Sequence, residues 1–314
     1  MATRLSGEDR LIALIERTIG RRGRVPVGIG DDACVLSGGV VLTTDAYAEG
    51  VHFSSRYMTV EDIGRRCACA ALSDVVAMAA EPEAVTVALC LPRGMPASAV
   101  RGLYRGIDWV CGKLGAEVAG GDIIVGGQLV IALSATGRTR RPRLRSAARP
   151  GDTLYVTGAL GSAEAGRLVL EHDLPRAGFG ALVQRHLCPL PRIAVMRRIK
   201  ARMRALIDTS DGLATDARHI ARASGVGIEV DCTALPMLPE TIKACARMGL
   251  DPLRFALTAG EDYELLFTAL PGLPERLSGT AVSAIGRVLT GNGVKYRVDG
   301  SVRRMDLRGF DHLA

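Results

Sequence analysis

The sequence predicts an α/β chain of two domains, on three observations. Its 314 residues are 48% hydrophobic and 23% charged, and a chain of that length and apolar content can bury two ordinary cores. From residue 25 to 137, short runs rich in β-branched residues alternate with helix-length segments, and the alternation resumes after residue 152. Between the blocks stands Arg149-Pro150-Gly151-Asp152, a turn sequence. The boundary is therefore expected near 148–152, with an N-terminal domain at 1–148 and a C-terminal α/β domain at 149–314.

Taken in order, MATRLSGEDRLIALIER predicts an amphipathic helix capped by Ser6, with Glu8 and Asp9 in its first turn. It lacks the uninterrupted apolar core of a signal peptide. VVLTTDA (40–46), AVTVALCLP (84–92) and LVIALSATGR (129–138) predict strands. Residues 60–80 and 96–115 space their apolar residues as helices do. In the second block TLYVTG predicts a strand, followed by a glycine loop and a helix over LGSAEAGRLVLEH. The proline-marked RHLCPLPRIAV comes next, and helix–strand alternation continues through GVGIEVD and YELLFTA to AIGRV.

Composition narrows the function classes. The longest apolar runs, such as VVLTT and LVIALSA, are strand-sized and far short of a membrane span. Eight cysteines stand mostly in apolar stretches without a CxxC pair. They predict small buried hydrophobes in a reduced, cytoplasmic compartment rather than a disulfide framework or a zinc site. The net charge of +7 is carried almost wholly by arginine, since only Lys113, Lys200, Lys243 and Lys295 are lysines. The densest run, GRTRRPRLRSAAR (137–149), is either a solvated loop between strands or an anion-binding segment. Aromatics make up only 4% of the chain and none interleaves with that run, which argues against nucleic acid as a partner.

Six acidic clusters carry the chemistry: GIGDDACVL (28–36), VLTTDAYAEGVHF (41–53), LSD (72–74), GGDII (120–124), IDTSDG (207–212) and GEDYELLF (260–267). Each lies in a glycine- or hydroxyl-rich stretch beside an apolar segment. Carboxylates a few ångströms apart repel by several kcal/mol at protein-like dielectric, so such gathering predicts bound cations, and several cations predict phosphate chemistry. Singly, each cluster has a plainer reading. Asp31 and Asp32 suit a β-turn, Ser210 or Asp211 suits a helix cap, and a lone His52 is most often structural. Asp74 already resists that treatment, because a carboxylate inside an apolar helix is expensive without a partner. With no HExxH and no His–Cys cluster, the donor set is one of oxygens and suits Mg²⁺. GALGSAEAG (158–166) lacks the GK[ST] of a P-loop and the spacing of a dinucleotide fingerprint.

The motifs GDDAxVL, TTDxxxEGVHF, LSDxxAM, GGD, GDxLYVTGxLGxxxAG, RHLxPxPRI, DxSDGLxxDxxHI, GEDYELLFT and GFDH, in this order over nearly the whole chain, resemble the thiamine-phosphate kinase family. That family falls within the superfamily of aminoimidazole ribonucleotide synthetase. The resemblance implies a two-domain fold of that superfamily, in which the N-terminal sheet builds a barrel across a homodimer. It implies ATP- and Mg²⁺-dependent phosphorylation of thiamine monophosphate to thiamine diphosphate by in-line transfer, with several Mg²⁺ ions. It assigns Asp32, Thr43, Thr44, Asp45, Asp74, Asp122, Asp208 and Asp211 to the metals. ATP falls to Tyr104, Gly121, Asp122, Arg145 and Ser210, and the substrate to His52, Glu261 and Phe310. Asp45, Asp122 and Asp211 are the candidate catalytic residues. The chain departs from the family pattern at Ala71, Ile123 and Leu313, where Asn, Thr and Phe are common. A superfamily relative acting with ATP on a different small acceptor is the alternative. The expected partners are ATP, thiamine monophosphate and a second copy of the chain, with no nucleic acid and no membrane.

Overall fold

The structure, a computed structural model, describes residues 7–20, 23–307 and 309–310. Helix α1 (Gly7–Thr18) forms where the amphipathic pattern predicts it; Ser6 lies outside the described residues. The first sheet contains β1 (Cys34–Val35), β2 (Val40–Ala48), β3 (Glu81–Pro92), β4 (Glu117–Gly126) and β5 (Val130–Arg138), in the lateral order β1-β2-β5-β3-β4. Only the β3–β4 pair is parallel. Helix α2 (Val60–Ala77) links β2 to β3 and starts at a reciprocal cap between Thr59 and Asp62. Helix α3 (Ala97–Leu114) links β3 to β4 and stops at left-handed Gly115. The two helices touch backbone to backbone, because a Cβ on Gly64 or Gly106 would overlap the carbonyl oxygens of Leu103 and Glu61.

The strands bury one face against these helices. Val41, Val85, Val87, Leu89, Ile131, Leu133 and Ala135 point inward, whereas Thr44, Ala46, Thr86 and Ala88 are exposed on the other face. Edge strand β4 is exposed along nearly its whole length.

The second sheet gathers β6 (Thr153–Thr157), β7 (Leu206–Asp208), β8 (Gly227–Asp231), β9 (Leu265–Ala269), β11 (Thr280–Leu289), β12 (Gly293–Val298) and β13 (Ser301–Arg303), in the order β13-β12-β8-β11-β6-β9-β7. The short β10 (Arg276–Leu277) pairs with β11. Helices α4 (Ser162–Glu171), α5 (Gly180–Leu187), α6 (Ile193–Ile199), α7 (Leu213–Ser224), α8 (Pro239–Met248) and α9 (Pro252–Thr258) complete this half. All strands of the first sheet precede residue 139 and all strands of the second follow residue 152.

The apolar interior crosses that division. One continuous cluster runs from Val41 and Leu133 through Cys67, Leu72 and Val76 of α2 to Leu206, Leu265 and Phe267 of the second half. Helix α2 is thus enclosed by both halves, so it is buried nearly all round from Ile63 to Ala77. Any polar group on α2 sits at the junction of the two halves, and this positions the site. All eight cysteines are free thiols, six of them buried.

The motif residues with no role in chemistry hold this frame. Glu264 is fully buried and receives Thr157 Oγ1 at 2.6 Å, Arg192 Nε at 2.7 Å and the Arg185 guanidinium. These two arginines come from the RHLCPLPRI segment and hold the Glu264 carboxyl below the usual glutamate range, against the opposing effect of burial. Asp262 accepts from the backbone N–H of Ala163 at 2.9 Å and from that of Gly161, so it caps α4 from a distant loop.

Candidate functional site

Three carboxylates from three distant segments converge. Asp32 comes from the loop before β1, Asp74 from the last turn of α2 and Asp208 from the end of β7. One oxygen of each lies within 4.8 Å of the others. Neighbouring side chains orient them. Thr43 Oγ1 donates to Asp74 Oδ2 at 2.7 Å, Ser73 Oγ donates to Asp208, and Arg145 Nη2 donates to Asp32 Oδ1 at 2.6 Å. Arg145 also gives its backbone N–H to Asp31 at 3.1 Å. Asp45 borders the group and accepts from Tyr47 Oη at 2.8 Å.

Electrostatics mark the cluster as short of positive charge. Burial, and then the charge of Asp32, pushes the Asp208 carboxyl up to about 8. Burial followed by Asp45, Asp208 and Asp32 raises Asp74 well above the carboxylate range. Burial raises Asp32 and Asp45 too, and with Asp32 it brings Asp31 to about 6. Arg145 pulls Asp32 the other way. Asp32 Oδ2 is buried without a hydrogen-bond partner among the described residues. An all-oxygen donor set with an orphaned buried oxygen fits a hard divalent cation.

The structure divides the remaining predicted metal residues. Strand alternation separates the three consecutive oxygens of β2: Thr43 and Asp45 share the face toward α2, while Thr44 points to the opposite face and accepts from Ser134 Oγ at 3.1 Å. Asp122 lies on β4. The register row Asp45–Leu133–Val87–Gly121 runs across the sheet, and Asp122 belongs to the next row, with Ala88, Ala132 and Ala46. It is therefore about 14 Å from β2, at roughly 4.8 Å per strand, and on the other face. Gly121 serves strand packing, since a Cβ there would overlap the Val87 carbonyl. Tyr104 is half-buried on α3.

Ser210 and Asp211 lie in the loop between β7 and α7. Gly212 occupies the N-cap of α7 and supplies no side-chain bond, so neither Ser210 nor Asp211 is the N-cap residue. This loop is laced to the GEDYE loop. Glu261 N donates to Ser210 O at 2.8 Å, Tyr263 N to Thr209 O at 3.0 Å and Thr209 N to Glu264 O at 2.8 Å. Glu261 and Tyr263 are held at φ of 64° and 50°, conformations that persist for such residues only where the surroundings enforce them.

The predicted substrate residues fall into two places. Glu261 forms an ion pair with Arg66 of α2, which is only 2% exposed and donates to the His52 carbonyl at 3.2 Å. His52 Nδ1 accepts from Ala48 N at 3.2 Å, which leaves Nε2 as the protonated nitrogen of the neutral ring. Arg66 precedes Asp74 by eight residues on one helix face, so this corner lies about 12 Å from the carboxylate cluster, at 1.5 Å per residue. Phe310, 51% exposed, is fixed through its backbone: Phe310 N donates to Asp211 O at 3.1 Å. A Cβ on Gly309 would overlap that same Asp211 carbonyl, which accounts for the glycine of GFDH. His312 and Leu313 lie outside the described residues.

Arg66 was missed from sequence, although the signal that singled out Asp74 applies to it equally, a charge within an otherwise buried helix. Tyr47, one strand period from Asp45, carries no such signal. Glu49 accepts from Ser55 N at 3.2 Å and holds its own turn. The arginine run is partly absorbed by the fold: Arg143 Nε donates to Lys200 O at 2.9 Å and Arg145 enters the cluster.

Residues 30–139 match the family described as AIR synthase related protein, N-terminal domain. The thiamine-monophosphate kinase of Aquifex aeolicus is 36% identical over 312 residues, 98% of each chain, and that of Salmonella typhimurium is 33% identical over 98% of each. The solved structure of AaThiL complexed with AMPPCP and TMP superposes with a TM-score of 0.89, at 34% identity and 99% coverage of both chains. The hydrogenase maturation protein HypE from E. coli, at 22% identity and a TM-score of 0.70, shares the fold alone. The chain belongs to the thiamine-monophosphate kinase family.

Proposed function

We propose that this chain transfers a phosphoryl group from ATP to the phosphate of thiamine monophosphate, giving thiamine diphosphate. The observation that carries the proposal is the convergence of Asp32, Asp74 and Asp208 within 4.8 Å in a chain of this family. Both reactants are polyanions, and phosphoryl transfer needs alignment and charge neutralisation more than covalent help. Mg²⁺ ions held by Asp32, Asp45, Asp74, Asp208 and Asp211, with Thr43 adding an oxygen, would supply that neutralisation. The protein's own groups do the positioning. The Thr43 and Ser73 hydroxyls aim the Asp74 and Asp208 carboxylates. Arg145 rests on Asp32 and can turn its fork to a phosphate. His52, protonated at Nε2, is a donor for the acceptor substrate, and Glu261 faces its cationic thiazolium ring. Phe310 offers an aromatic face to that ring.

We further propose that two copies complete each site. Asp122 stands about 14 Å from β2 and on the opposite face, beyond the reach of a cation shared with Asp45 in one chain. Its strand is an uncovered edge with Ile123, Ile124 and Val125 exposed, a surface suited to a second copy. Asp122 and Gly121, with Tyr104 on the neighbouring helix, would then serve the partner's ATP.

The test is direct: incubate the protein with ATP, Mg²⁺ and thiamine monophosphate and look for thiamine diphosphate. Parallel arms contain free thiamine and aminoimidazole precursors. Product in one of those arms alone would assign the chain to a different acceptor. Mixing inactive D45N and D122N chains tests the shared site. Exchange of subunits restores activity to one site per dimer if Asp122 acts across the interface, and restores nothing if it acts within its own chain.

A further inference from the structure

Asp216 stands in the first turn of α7, one turn beyond Asp211, and it is 1% exposed. Neither of its carboxylate oxygens has a hydrogen-bond partner among the described residues. A buried carboxylate left this way costs several kcal/mol unless it is neutralised or compensated. Glu264, buried to the same degree, shows the ordinary arrangement, with two arginines and a threonine around it. Asp216 has none of these. Burial, and then the nearby carboxyls of Asp211 and Asp208, raises its carboxyl well above the carboxylate range, with Arg145 acting the other way.

Its place in the chain is equally pointed. Thr215 N and Asp216 N donate to Gly212 O at 2.9 and 3.1 Å, and the α7 N-terminus turns the positive end of a helix dipole toward the β7–α7 loop. Asp211 and Asp208 lie in and before that loop, so Asp216 opens the helix that follows two of the candidate cation ligands.

We propose that Asp216 is a positioning residue of the cation site. Ionised when a cation binds, it supplies a negative charge near Asp208 and Asp211 that strengthens their hold on a divalent cation, and the cation in turn compensates Asp216. This rests on the cluster being a cation site, as proposed above. Groups that orient or charge a metal ligand from behind commonly change metal affinity by about 10- to 100-fold when removed.

The experiment titrates Mn²⁺ by electron paramagnetic resonance into the wild-type protein and Asp216→Asn, and measures thermal unfolding of both in chelator and in saturating Mg²⁺. Asparagine keeps the shape and removes the charge. The expected result has two parts: Mn²⁺ binds the variant about 10- to 100-fold more weakly, and the cation-free variant is at least as stable as wild type, because a buried, unpartnered carboxyl among other carboxyls is gone. A residue that is merely structural gives the opposite pattern, lower stability in chelator with unchanged Mn²⁺ affinity, and that result overturns the inference. Should Asp216→Asn fail to fold, Asp216→Ser is put through the same titration. A wild-type protein that binds no Mn²⁺ would overturn the cation site itself, whereas equal binding by wild type and variant overturns only the role of Asp216.

Discussion

Replacing Asp208 by Asn should stabilise the cation-free protein, and the effect should reverse when Mg²⁺ is present. Asp208 is 1% exposed and its carboxyl is pushed from 3.8 to about 8, first by burial and then by Asp32. That displacement corresponds to roughly 5–6 kcal/mol of disfavoured ionisation, at about 1.4 kcal/mol per pH unit. The sign follows from proton linkage. Between pH 4 and 8 the folded chain holds a proton on Asp208 that the unfolded chain has lost, so stability falls as pH rises through that window. Asn cannot ionise and still accepts from Ser73, so the variant should lose a slope of about 1.4 kcal/mol per pH unit and exceed wild type by several kcal/mol at pH 8. Urea denaturation in chelator at pH 5, 6.5 and 8 measures this. In Mg²⁺ the order inverts, because wild type gains binding free energy that the variant forgoes. A D208N protein that is less stable than wild type at pH 8 in chelator, or that has the same pH slope, would refute the account of the cluster as an uncompensated cation site.

Glu264→Gln strips the buried countercharge from Arg185 and Arg192 and should cost about 3–5 kcal/mol, read as a lower urea midpoint at pH 7 with or without Mg²⁺. Phe310→Ala should raise KM for thiamine monophosphate by about 2- to 30-fold, the worth of one cation–π contact, while Mg²⁺-dependent stabilisation stays unchanged. Gly309→Ala places a methyl against the Asp211 carbonyl; detachment of the tail should reproduce the KM effect of Phe310→Ala without loss of fold by circular dichroism. Isothermal titration of Mg²⁺ in buffers of different ionisation enthalpy should show proton release at pH 7, since Asp208, at about 8, carries a proton there until a cation displaces it.

Much of the fold was legible because its local signals agree with its tertiary contacts. The helical spacing of 60–80, the strand-type runs of β2, β3 and β5 and the turn at 149–152 each act within a few residues, and the elements they predict are the ones observed. The acidic clusters were legible for a related reason: Asp74 within an apolar helix and Asp208 at the end of a buried strand are costly anywhere except beside a counterion. Local pattern says nothing about which clusters meet. Asp32, Asp74 and Asp208 are far apart in the chain, and only the enclosure of α2 by both halves brings them within 4.8 Å.

The same limit accounts for the differences. Thr43 and Thr44 are adjacent ligand types in sequence, yet a strand sends them to opposite faces. Gly121 and Asp122 are adjacent in sequence, yet Gly121 packs against Val87 of the neighbouring strand while Asp122 belongs to the next register row. Asp262 and Glu264 belong to one acidic motif with Glu261, but one caps α4, one binds two arginines, and Glu261 pairs with Arg66 of α2. The sequence by itself determined the chemistry available, a set of oxygen donors suited to hard cations and phosphates, because residue type alone sets donor type and charge. Tertiary structure decided which of those donors share a site and which are about 14 Å away on the far side of a sheet, because strand order and helix packing are set by burial over the whole chain.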